Sequence, residues 1–351
     1  MNHLEIVKAA LSAPTGDNCQ PFSFSWHEND LSIWFNPDRA RHFMDVGLAA
    51  SLLSLGATIE AAAIGASAYG MAPAIELQLP LKQEKAIAAT LKFVKSAIAI
   101  DPLQPHLLNR ATDRRCYQGG YNHEVFTALA AEAAAYPTIS YATTSLENAD
   151  FIEQILHADS IVFSHRDAQQ DLMRWLRLSD DEIAAHRDGM PWTTLGIKPH
   201  ELLFLRACRR WWVQSLSNKI GGLKIARQVL KKQILSSARL IGLGVKTSAP
   251  NSIVEAGRIA LRIWVRLNAD GFGVQSLSAL PLFTFAASTG SLPELNPGYA
   301  ELFESAVPTF RRVMGWSDQI TPLWLFRTGI TTPLAPRMRC PRLRPDEVVV
   351  S

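Results

Sequence analysis

The sequence predicts an α+β fold in which one chain contains two similar halves. The first observation is a long apolar helix over 46–68, followed after Gly70 by an alternating strand over 74–79. The second is the same order of helix, glycine and strand late in the chain, with a helix over 253–269 and a strand over 272–277. Two ordinary helix-to-strand units would give the same pattern, so duplication is one of two interpretations.

The N-terminal residues predict a short helix through Leu11, a polar turn, and a hairpin with strands at 22–26 and 31–35. Apolar and polar side chains alternate in both strands, as in a half-buried hairpin. The helix over 46–68 is long enough to be mistaken for a membrane span. Its Ala, Gly and Ser content and its Glu60 favour a helix buried inside a large domain.

A polar stretch over 101–120 separates the two predicted halves, 1–100 and 101–351. Beyond it, the pattern predicts helices over 124–135 and 149–177. We therefore expect the second half to be larger and more helical than the first.

The region 199–237 combines Arg209, Arg210, Trp211 and Trp212 with a Gly-Gly break. Arginine and aromatic side chains together can bind nucleic acid. Two adjacent tryptophans cannot share one helix face, and the surrounding apolar residues look like packing positions. The sequence therefore favours a helical insertion that covers the protein as a lid.

Composition excludes several classes of protein. The 351 residues carry a net charge of +3 and are 48% hydrophobic, which indicates a globular chain with no overall excess of charge for nucleic acid or membrane. The four cysteines are far apart and form no Cys-x-x-Cys pair, which argues against a zinc site or a disulfide framework. The N-terminus lacks the pattern of a signal peptide, so we expect a cytoplasmic protein.

The polar turn ends in an Asn-x-Gln-Pro-aromatic run that contains Asn18 and Gln20. An amide offers both a donor and an acceptor, so this pair could read the edge of a heterocycle such as a flavin or pteridine. The alternative is an ordinary surface turn, for which the Pro, Gly, Asp and Asn residues are well suited.

Two arginine clusters add a phosphate-binding hypothesis. Arg110, Thr112 and Arg114 bring guanidinium groups and a hydroxyl together, and Arg337 and Arg339 alternate near the C-terminus. Guanidinium groups hold phosphate oxygens bidentately. Each cluster alone is also compatible with a solvated surface. Together with the amides, they predict a ligand that has a polar ring and a phosphate.

These residues resemble the nitroreductase-like flavoprotein superfamily, and within it the single-chain branch with two halves, typified by the mycobacterial Acg-type proteins. The similarity covers about residues 8 to 348, and 199–237 fits it least. It is carried by five motifs in family order: Ala13 to Phe22, Arg110 to Arg115, Arg187 to Met190, Gly257 to Trp264 and Pro336 to Arg339.

The resemblance implies a nitroreductase-like fold in which the two halves form a pseudo-dimer and bind FMN where they meet. It places Asn18 and Gln20 near the isoalloxazine or ribityl part, and the backbone of Ser278 near flavin N5. The family's acidic residue is absent at that strand end. The expected phosphate ligands are Arg110, Thr112, Arg114, Arg337 and Arg339, and the residues expected at the strand end are Ser276, Leu277 and Ser278.

The resemblance also implies an FMN-dependent oxidoreductase that moves hydride between flavin N5 and a conjugated or heteroaromatic small molecule. Two tasks stay open: reducing nitro or quinone compounds, and oxidising an alcohol to an aldehyde in secondary-metabolite biosynthesis, as in pyrrole pigment pathways. A non-catalytic FMN-binding or storage protein with a closed flavin site is the alternative. A nucleic-acid-associated protein that uses the Arg- and Trp-rich region is a third hypothesis.

FMN is expected rather than FAD, because an adenylate would need room beyond the phosphate cluster. The chain has no Gly-rich dinucleotide fingerprint, so NAD(P)H would occupy the substrate site only transiently as donor. The other expectations are a small-molecule substrate, no metal, no nucleic acid, no membrane span, and either a pseudo-dimeric monomer or a homodimer. Flavin N5 itself is the expected reacting atom, and no spacing distinguishes one proton donor among His27, His42, His106, His186 and His200.

Overall fold

The structure is a computed structural model that describes residues 2–97 and 99–350. Its strands are β1 Phe22–His27, β2 Asp30–Phe35, β3 Met71–Leu77, β4 Ala86–Lys95, β5 Ile139–Thr144, β6 Leu176–Arg177, β7 Met190–Pro191, β8 Arg239–Val245, β9 Phe272–Ser276 and β10 Thr321–Ile330. Its helices are α1 His3–Leu11, α2 Pro37–Ala40, α3 Ala49–Ser67, α4 His123–Ala134, α5 Ala149–Asp159, α6 Ile161–Ser164, α7 Arg166–Trp175, α8 Asp180–Ala185, α9 Pro199–Ala207, α10 Trp211–Lys219, α11 Gly222–Leu235, α12 Pro250–Ala269, α13 Ala279–Ser288, α14 Pro297–Met314 and α15 Pro345–Val348.

Two antiparallel sheets of four strands organise the described residues. The first has the order β1-β2-β4-β3 and the second the order β5-β8-β10-β9. A short parallel pair, β6 and β7, lies outside both sheets. Helices pack on the two large sheets, which confirms the prediction of an α+β fold.

The predicted N-terminal hairpin is confirmed in position. β1 and β2 pair from Phe22 opposite Phe35 to His27 opposite Asp30. Phe24 is fully buried while its neighbours in the strand are partly exposed, so the alternation in sequence places one face of the hairpin in the core.

The long apolar helix α3 is a core helix that crosses α12. Together with the turn before it, over Val46–Ser67, it is the one helix in the described residues that is long and apolar enough to span a membrane, and 78% of its most apolar window is buried inside the protein. Glu60 is 4% exposed and forms ion pairs at 2.8 Å with Arg258 and Arg262 of α12. The prediction of a buried helix is therefore confirmed.

The predicted single helix over 149–177 is wrong. The segment forms three helices, α5, α6 and α7, and its last two residues belong to β6. The break before α7 occurs at His165, whose backbone is extended, with φ −108° and ψ 127°. The ring of His165 packs 4.6 Å from that of Phe43, a tertiary contact that helical periodicity does not reveal.

The largest apolar cluster draws side chains from both four-stranded sheets and from α3 and α12. The C-terminal residues also return to the first sheet, where Val349 bridges Phe24 of β1 and Val350 donates a 2.7 Å hydrogen bond to the Phe24 carbonyl. The division into halves 1–100 and 101–351 stays a prediction, and the last residues of the second half pack on the first.

Candidate functional site

The polar turn between α1 and β1 has an unusual backbone. Asp17, Asn18 and Gln20 adopt positive φ angles of 45°, 59° and 50°. Residues other than glycine rarely take this conformation, and it persists where surrounding contacts hold it in place. The loop over 12–22 is therefore fixed by contacts from outside itself.

Asn18 supplies the first set of these contacts. It is 5% exposed, and its Nδ2 donates to the carbonyls of Gly189 at 2.9 Å and Pro341 at 3.0 Å. Its Oδ1 accepts a 2.5 Å hydrogen bond from Arg342. All the hydrogen-bonding groups of this amide are thus used inside the protein.

Gln20 makes a second, similar set. It is 4% exposed, its Nε2 donates to the Arg187 carbonyl at 2.9 Å, and its Oε1 accepts from the backbone N–H of Leu343 at 2.8 Å. The two amides join the loop to the segment around Gly189 and to the C-terminal residues 341–343. Reading the edge of a bound ring would require these bonds to open, so the contacts favour a structural role for both amides.

Gly189 is required at its position in this arrangement. It has φ +72°, and a Cβ atom there would lie 2.4 Å from the Trp175 carbonyl. Its neighbour Asp188 is held by ion pairs with Arg39 at 2.7 Å and Arg177 at 2.5 Å. The segment Arg187 to Met190, which resembles a family motif, therefore helps to hold the loop over 12–22 in place.

Three arginines meet beside this loop, and we call Arg110, Arg339 and Arg342 the arginine cluster. Arg110 is 8% exposed and donates through Nε and Nη2 to the Ser12 carbonyl, at 3.2 and 3.1 Å. Its guanidinium carbon lies 4.7 Å from the centre of the Trp264 ring. Burial, followed by the charges of Arg342 and Arg339, holds the pKa of Arg110 well below its usual value.

The hydrogen-bond partners of the cluster are neutral oxygens. Arg339 donates to the Asn109 carbonyl at 3.0 Å, and Arg342 donates to the Asn18 amide. Burial also lowers the pKa of Arg342. Within residues 2–97 and 99–350, no carboxylate pairs with any of the three. Buried charges are normally paired, so this cluster is suited to an anionic group.

Helix α12 fixes the backbone that carries Arg110. Trp264 donates from Nε1 to the Ala111 carbonyl at 3.0 Å, and Asn268 accepts the Ala111 N–H at 2.8 Å. The Trp264 side chain thus both orients the loop and provides the aromatic face against Arg110.

The other predicted phosphate ligands are more dispersed. Thr112 is partly buried, and Arg114 donates to the Thr194 carbonyl and to the Met190 sulfur, both at 3.2 Å. Arg337 is exposed, and its carbonyl accepts a 2.5 Å hydrogen bond from Thr193. The structure brings Arg110 and Arg339 together, whereas the contacts of Arg337 lie elsewhere.

The strand end that the resemblance places near flavin N5 lies between β9 and α13. Ser276 ends β9 opposite Phe326, Leu277 donates to the Leu325 carbonyl at 2.9 Å, and Ser278 directly precedes α13. In the described part of the chain, no hydrogen bond or ion pair connects these three residues with the arginine cluster.

His42 is held between two carboxylates behind the loop. Its Nδ1 lies 3.6 Å from Asp17 Oδ2 and 3.5 Å from Asp171 Oδ2, and its ring centre is 5.6 Å from that of Trp175. Burial alone would lower the pKa of His42. The hydrogen bonds to Asp171 and Cys19 and the charge of Asp17 outweigh burial and raise it to about 11. Its Nε2 is buried and has no hydrogen-bond partner in the described residues.

A cavity of about 430 Å³ opens beside His42. The imidazole and the Asp171 carboxylate form part of its wall, and the remainder mixes charged and apolar groups. Its lining residues are Pro37, Ala40, Arg41, His42, Phe43, Asp45, Leu48, Gln83, Asp167, Asp171 and Arg174. None of these lining residues belongs to the loop over 12–22, and the cavity is linked to the loop through His42, which contacts Asp17.

Sequence reasoning missed Arg342 and did not separate His42 from the other histidines. Arg342 lies three residues after Arg339, so the density of arginines in this C-terminal stretch was a signal that could have extended the cluster. Nothing in the local sequence of His42 predicts its carboxylate partners, because Asp171 is contributed by a distant helix.

No protein-family model matches the chain. A curated relative, an uncharacterised protein of Mycobacterium tuberculosis, is 22% identical over 327 residues. The match covers 92% of this chain and 45% of the relative, so the chain spans less than half of that protein's length.

Solved structures with similarity to the chain include three nitroreductases. NfnB of Sphigopyxis sp. strain HMH, described as FMN- and NADPH-dependent, is 12% identical with a TM-score of 0.38, over 72% of this chain and 99% of that chain. NfnB of Mycobacterium smegmatis, in complex with NADPH, is 13% identical with a TM-score of 0.36, over 70% and 96%. A Desulfitobacterium hafniense nitroreductase with bound FMN is 12% identical with a TM-score of 0.34, over 67% and 94%. These likenesses are weak in both identity and TM-score.

Proposed function

We propose that the chain is an FMN-dependent oxidoreductase that transfers hydride between flavin N5 and a conjugated or heteroaromatic small molecule. The observation that carries the proposal is the arginine cluster, three guanidinium groups with no carboxylate partner in the described residues, beside a strained polar loop. The order of the sequence motifs, which resembles the nitroreductase-like flavoproteins, supports FMN as the phosphate-bearing ligand.

The residues of the cluster fit a phosphate group. Arg110, Arg339 and Arg342 would bind its oxygens. Burial and, after it, repulsion from Arg342 and Arg339 lower the pKa of Arg110, and the charge of the phosphate would relieve that repulsion. The flavin, when bound, supplies the hydride chemistry. Asn18 and Gln20 would hold the loop in its positive-φ conformation beside the ligand.

His42 would stay protonated rather than supply a mobile proton. A group with a pKa of about 11 stays protonated at neutral pH, so it is poorly matched to proton transfer there. The carboxylates of Asp17 and Asp171 beside it offset that charge, so His42 would act by joining the loop over 12–22 to α7. The cavity beside His42 is our candidate for the small-molecule substrate, because it combines apolar and charged walls.

The finer assignments belong to the same proposal. The substrate would be either a nitro or quinone compound to be reduced, or an alcohol to be oxidised to an aldehyde in secondary-metabolite, pyrrole pigment-like biosynthesis. NAD(P)H would act as a transient donor in the first case. We further propose a cytoplasmic, pseudo-dimeric monomer with residues 199–237 as a lid.

Cofactor binding tests the proposal directly. The purified protein should be yellow, or should take up FMN at micromolar concentration. Arg339→Ala and Arg342→Gln should each weaken FMN binding about tenfold or more, since a charge-assisted contact contributes roughly 1.5 to 3 kcal/mol. Arg344→Ala is the matched control, because Arg344 is exposed and lies near Asp346 and Glu347.

A colourless protein that fails to take up FMN would sink the flavin assignment, and equal retention by all three variants would remove the phosphate assignment. Anaerobic reduction of the bound flavin by NADPH or by an aromatic alcohol then tests catalysis. A flavin that is bound tightly but exchanges electrons with no such compound would favour the storage alternative.

A further inference from the structure

The segment 199–235, which contains α9, α10 and α11, differs sharply in charge from the rest of the chain. It has eight Lys or Arg residues and a single Glu, a net of +7, whereas the whole chain carries only +3. The remainder of the protein is therefore net acidic. Such a concentration of one sign of charge marks a surface for an oppositely charged partner.

The same segment exposes large apolar side chains at the hairpin formed by α10 and α11. Trp212 and Leu216 of α10 are 62% and 52% exposed, and Ile220, directly after the helix, is 79% exposed. The three residues are spaced four apart, so the two in α10 lie on one side of the helix and Ile220 continues from its end. Ile225 and Val229 of α11 are 64% and 54% exposed with the same spacing. Soluble surfaces seldom gather so many aliphatic groups without a partner.

Free cations surround these apolar groups. Arg210, Lys219, Lys224 and Lys232 are exposed and have no carboxylate partner within the described residues. Three other cations of the segment have carboxylate partners: Arg227 and Lys231 pair with Glu153 of α5, and Arg209 pairs with Glu182 of α8. Lys219 and Lys224 lie on either side of the turn at Gly221, next to the most exposed apolar residue.

The other side of the α10–α11 hairpin packs against the rest of the protein. Gln214 and Ser217 are 6% exposed and Ile234 is fully buried. Asn218 donates from Nδ2 to the Phe163 carbonyl at 2.7 Å. The exposed apolar and basic groups therefore form one outward face on a fixed support.

We propose that the α10–α11 hairpin docks on the surface of an anionic lipid bilayer. The apolar residues at its tip enter the boundary between headgroups and acyl chains, and the lysines contact anionic headgroups. Interfacial helices combine these two features, with Lys or Arg on the polar face and Trp, Phe or Leu on the other. Each cation near an anionic membrane adds to the attraction. This inference does not depend on flavin binding.

Other occupants fit the surface less well. A second copy of the hairpin would bring two surfaces of the same positive sign together, and protein interfaces are depleted in lysine. Nucleic acid would satisfy the cations but would leave Leu216, Ile220 and Val229 in water. An anionic bilayer is the partner that uses both kinds of side chain.

Vesicle co-sedimentation of the full-length protein tests the proposal. The protein should bind vesicles of phosphatidylcholine mixed with phosphatidylglycerol, should bind pure phosphatidylcholine far less, and should be released by high salt. Lys219→Gln combined with Lys224→Gln should lower the partition coefficient about tenfold or more. Lys82→Gln combined with Lys85→Gln is the matched control, since these exposed lysines lie between β3 and β4, outside the segment.

An apolar double variant, Leu216→Ser with Ile225→Ser, should also weaken binding while leaving the circular dichroism spectrum unchanged, because both side chains are exposed. Absence of binding to anionic vesicles overturns the proposal, as does an equal loss in the Lys82 and Lys85 control. Self-association that the apolar variant abolishes, or binding of single-stranded RNA without vesicle binding, would assign the face to that other partner instead.

Discussion

The side chains of Asn18 and Gln20 reach segments 171 and 167 residues away in sequence. Both are buried, and their partners are backbone groups and one guanidinium. From sequence, Asn and Gln residues that hold a loop cannot be told apart from Asn and Gln residues that bind a ligand, because the residue types are the same. Their hydrogen bonds favour a role in holding the strained loop, and flavin binding by these amides stays a prediction.

This role predicts that removing either amide costs stability. Asn18→Ala and Gln20→Ala should each lower the free energy of unfolding by about 1–3 kcal/mol, because buried partners would lose their hydrogen bonds. Urea denaturation measures the effect, with Gln78→Ala as the control, since Gln78 makes one long hydrogen bond at an exposed site. Variants that keep full stability but lose FMN would instead support a role in reading the ring.

Asp159, at the end of α5, gives a second prediction at this scale. Burial raises its pKa to about 6, although the charge of Arg114 opposes the shift. The folded-state pKa of Asp159 is above its unfolded value. Below about pH 4 the carboxyl is neutral and does not destabilise the fold, and stability is lost as the pH rises through 6 and the carboxyl ionises. Asp159→Asn does not titrate, so it should gain stability relative to the natural protein between pH 4 and pH 7.

We expect a gain on the order of 1 kcal/mol or more at pH 7 and little change at pH 4. Urea denaturation at the two pH values measures this difference. The residue is partly accessible to solvent, so the effect should be smaller than for a fully enclosed carboxyl. A gain of equal size at both pH values would show that packing, not ionisation, is responsible.

At the scale of elements, α3 and α12 cross at two glycines. A Cβ atom on Gly56 would lie 1.9 Å from the Val254 carbonyl oxygen, and one on Gly257 would lie 2.0 Å from the Leu53 carbonyl oxygen. The backbones of the two helices therefore touch, and Glu60 fixes their register through its arginine partners. The glycines in the sequence patterns of both helices serve this close approach.

Adding a methyl group at the crossing should separate the helices. Gly56→Ala and Gly257→Ala should each destabilise the protein by about 3 kcal/mol or more, since the obstructing atoms are backbone and cannot rotate away. Thermal unfolding measures the change. Gly298→Ala in α14 is the control, because its Cβ would meet only a side-chain oxygen at 3.7 Å. Equal melting temperatures for all three variants would contradict the tight crossing.

At the scale of the whole molecule, one apolar cluster joins the two sheets through α3 and α12. The C-terminal residues add a connection by pairing with β1. The first sheet therefore packs on this shared cluster, whereas the second sheet also packs on a separate apolar cluster with α5, α13 and α14.

This shared core predicts a single cooperative unfolding transition. Urea curves followed by far-UV circular dichroism and by tryptophan fluorescence should coincide, as they do for a two-state domain. Residues 1–100 expressed alone should not fold, because their apolar surface is covered by α12. Two separated transitions, or a folded 1–100 fragment, would contradict the shared core.

Local signals determined much of the fold and part of the candidate site. Alternation and turn residues identified the β1–β2 hairpin, and apolar length with one glutamate identified α3 as a buried helix. Local clustering of cations also led to the prediction that Arg110 and Arg339 bind a phosphate, and that stays a prediction. These features depend on neighbours in sequence, so periodicity and composition are sufficient to detect them.

The tertiary structure alone decided the remainder. β8 contains Gly242 and Gly244, which weaken a strand in isolation, and they are needed because Met314 and the ring of Trp316 pack against them. The contacts of Arg342 with Asn18 and of His42 with Asp171 join segments that are far apart in sequence. Hydrogen bonds, ion pairs and close packing act over a few ångströms in space, and a single sequence does not specify which distant residues come within that range.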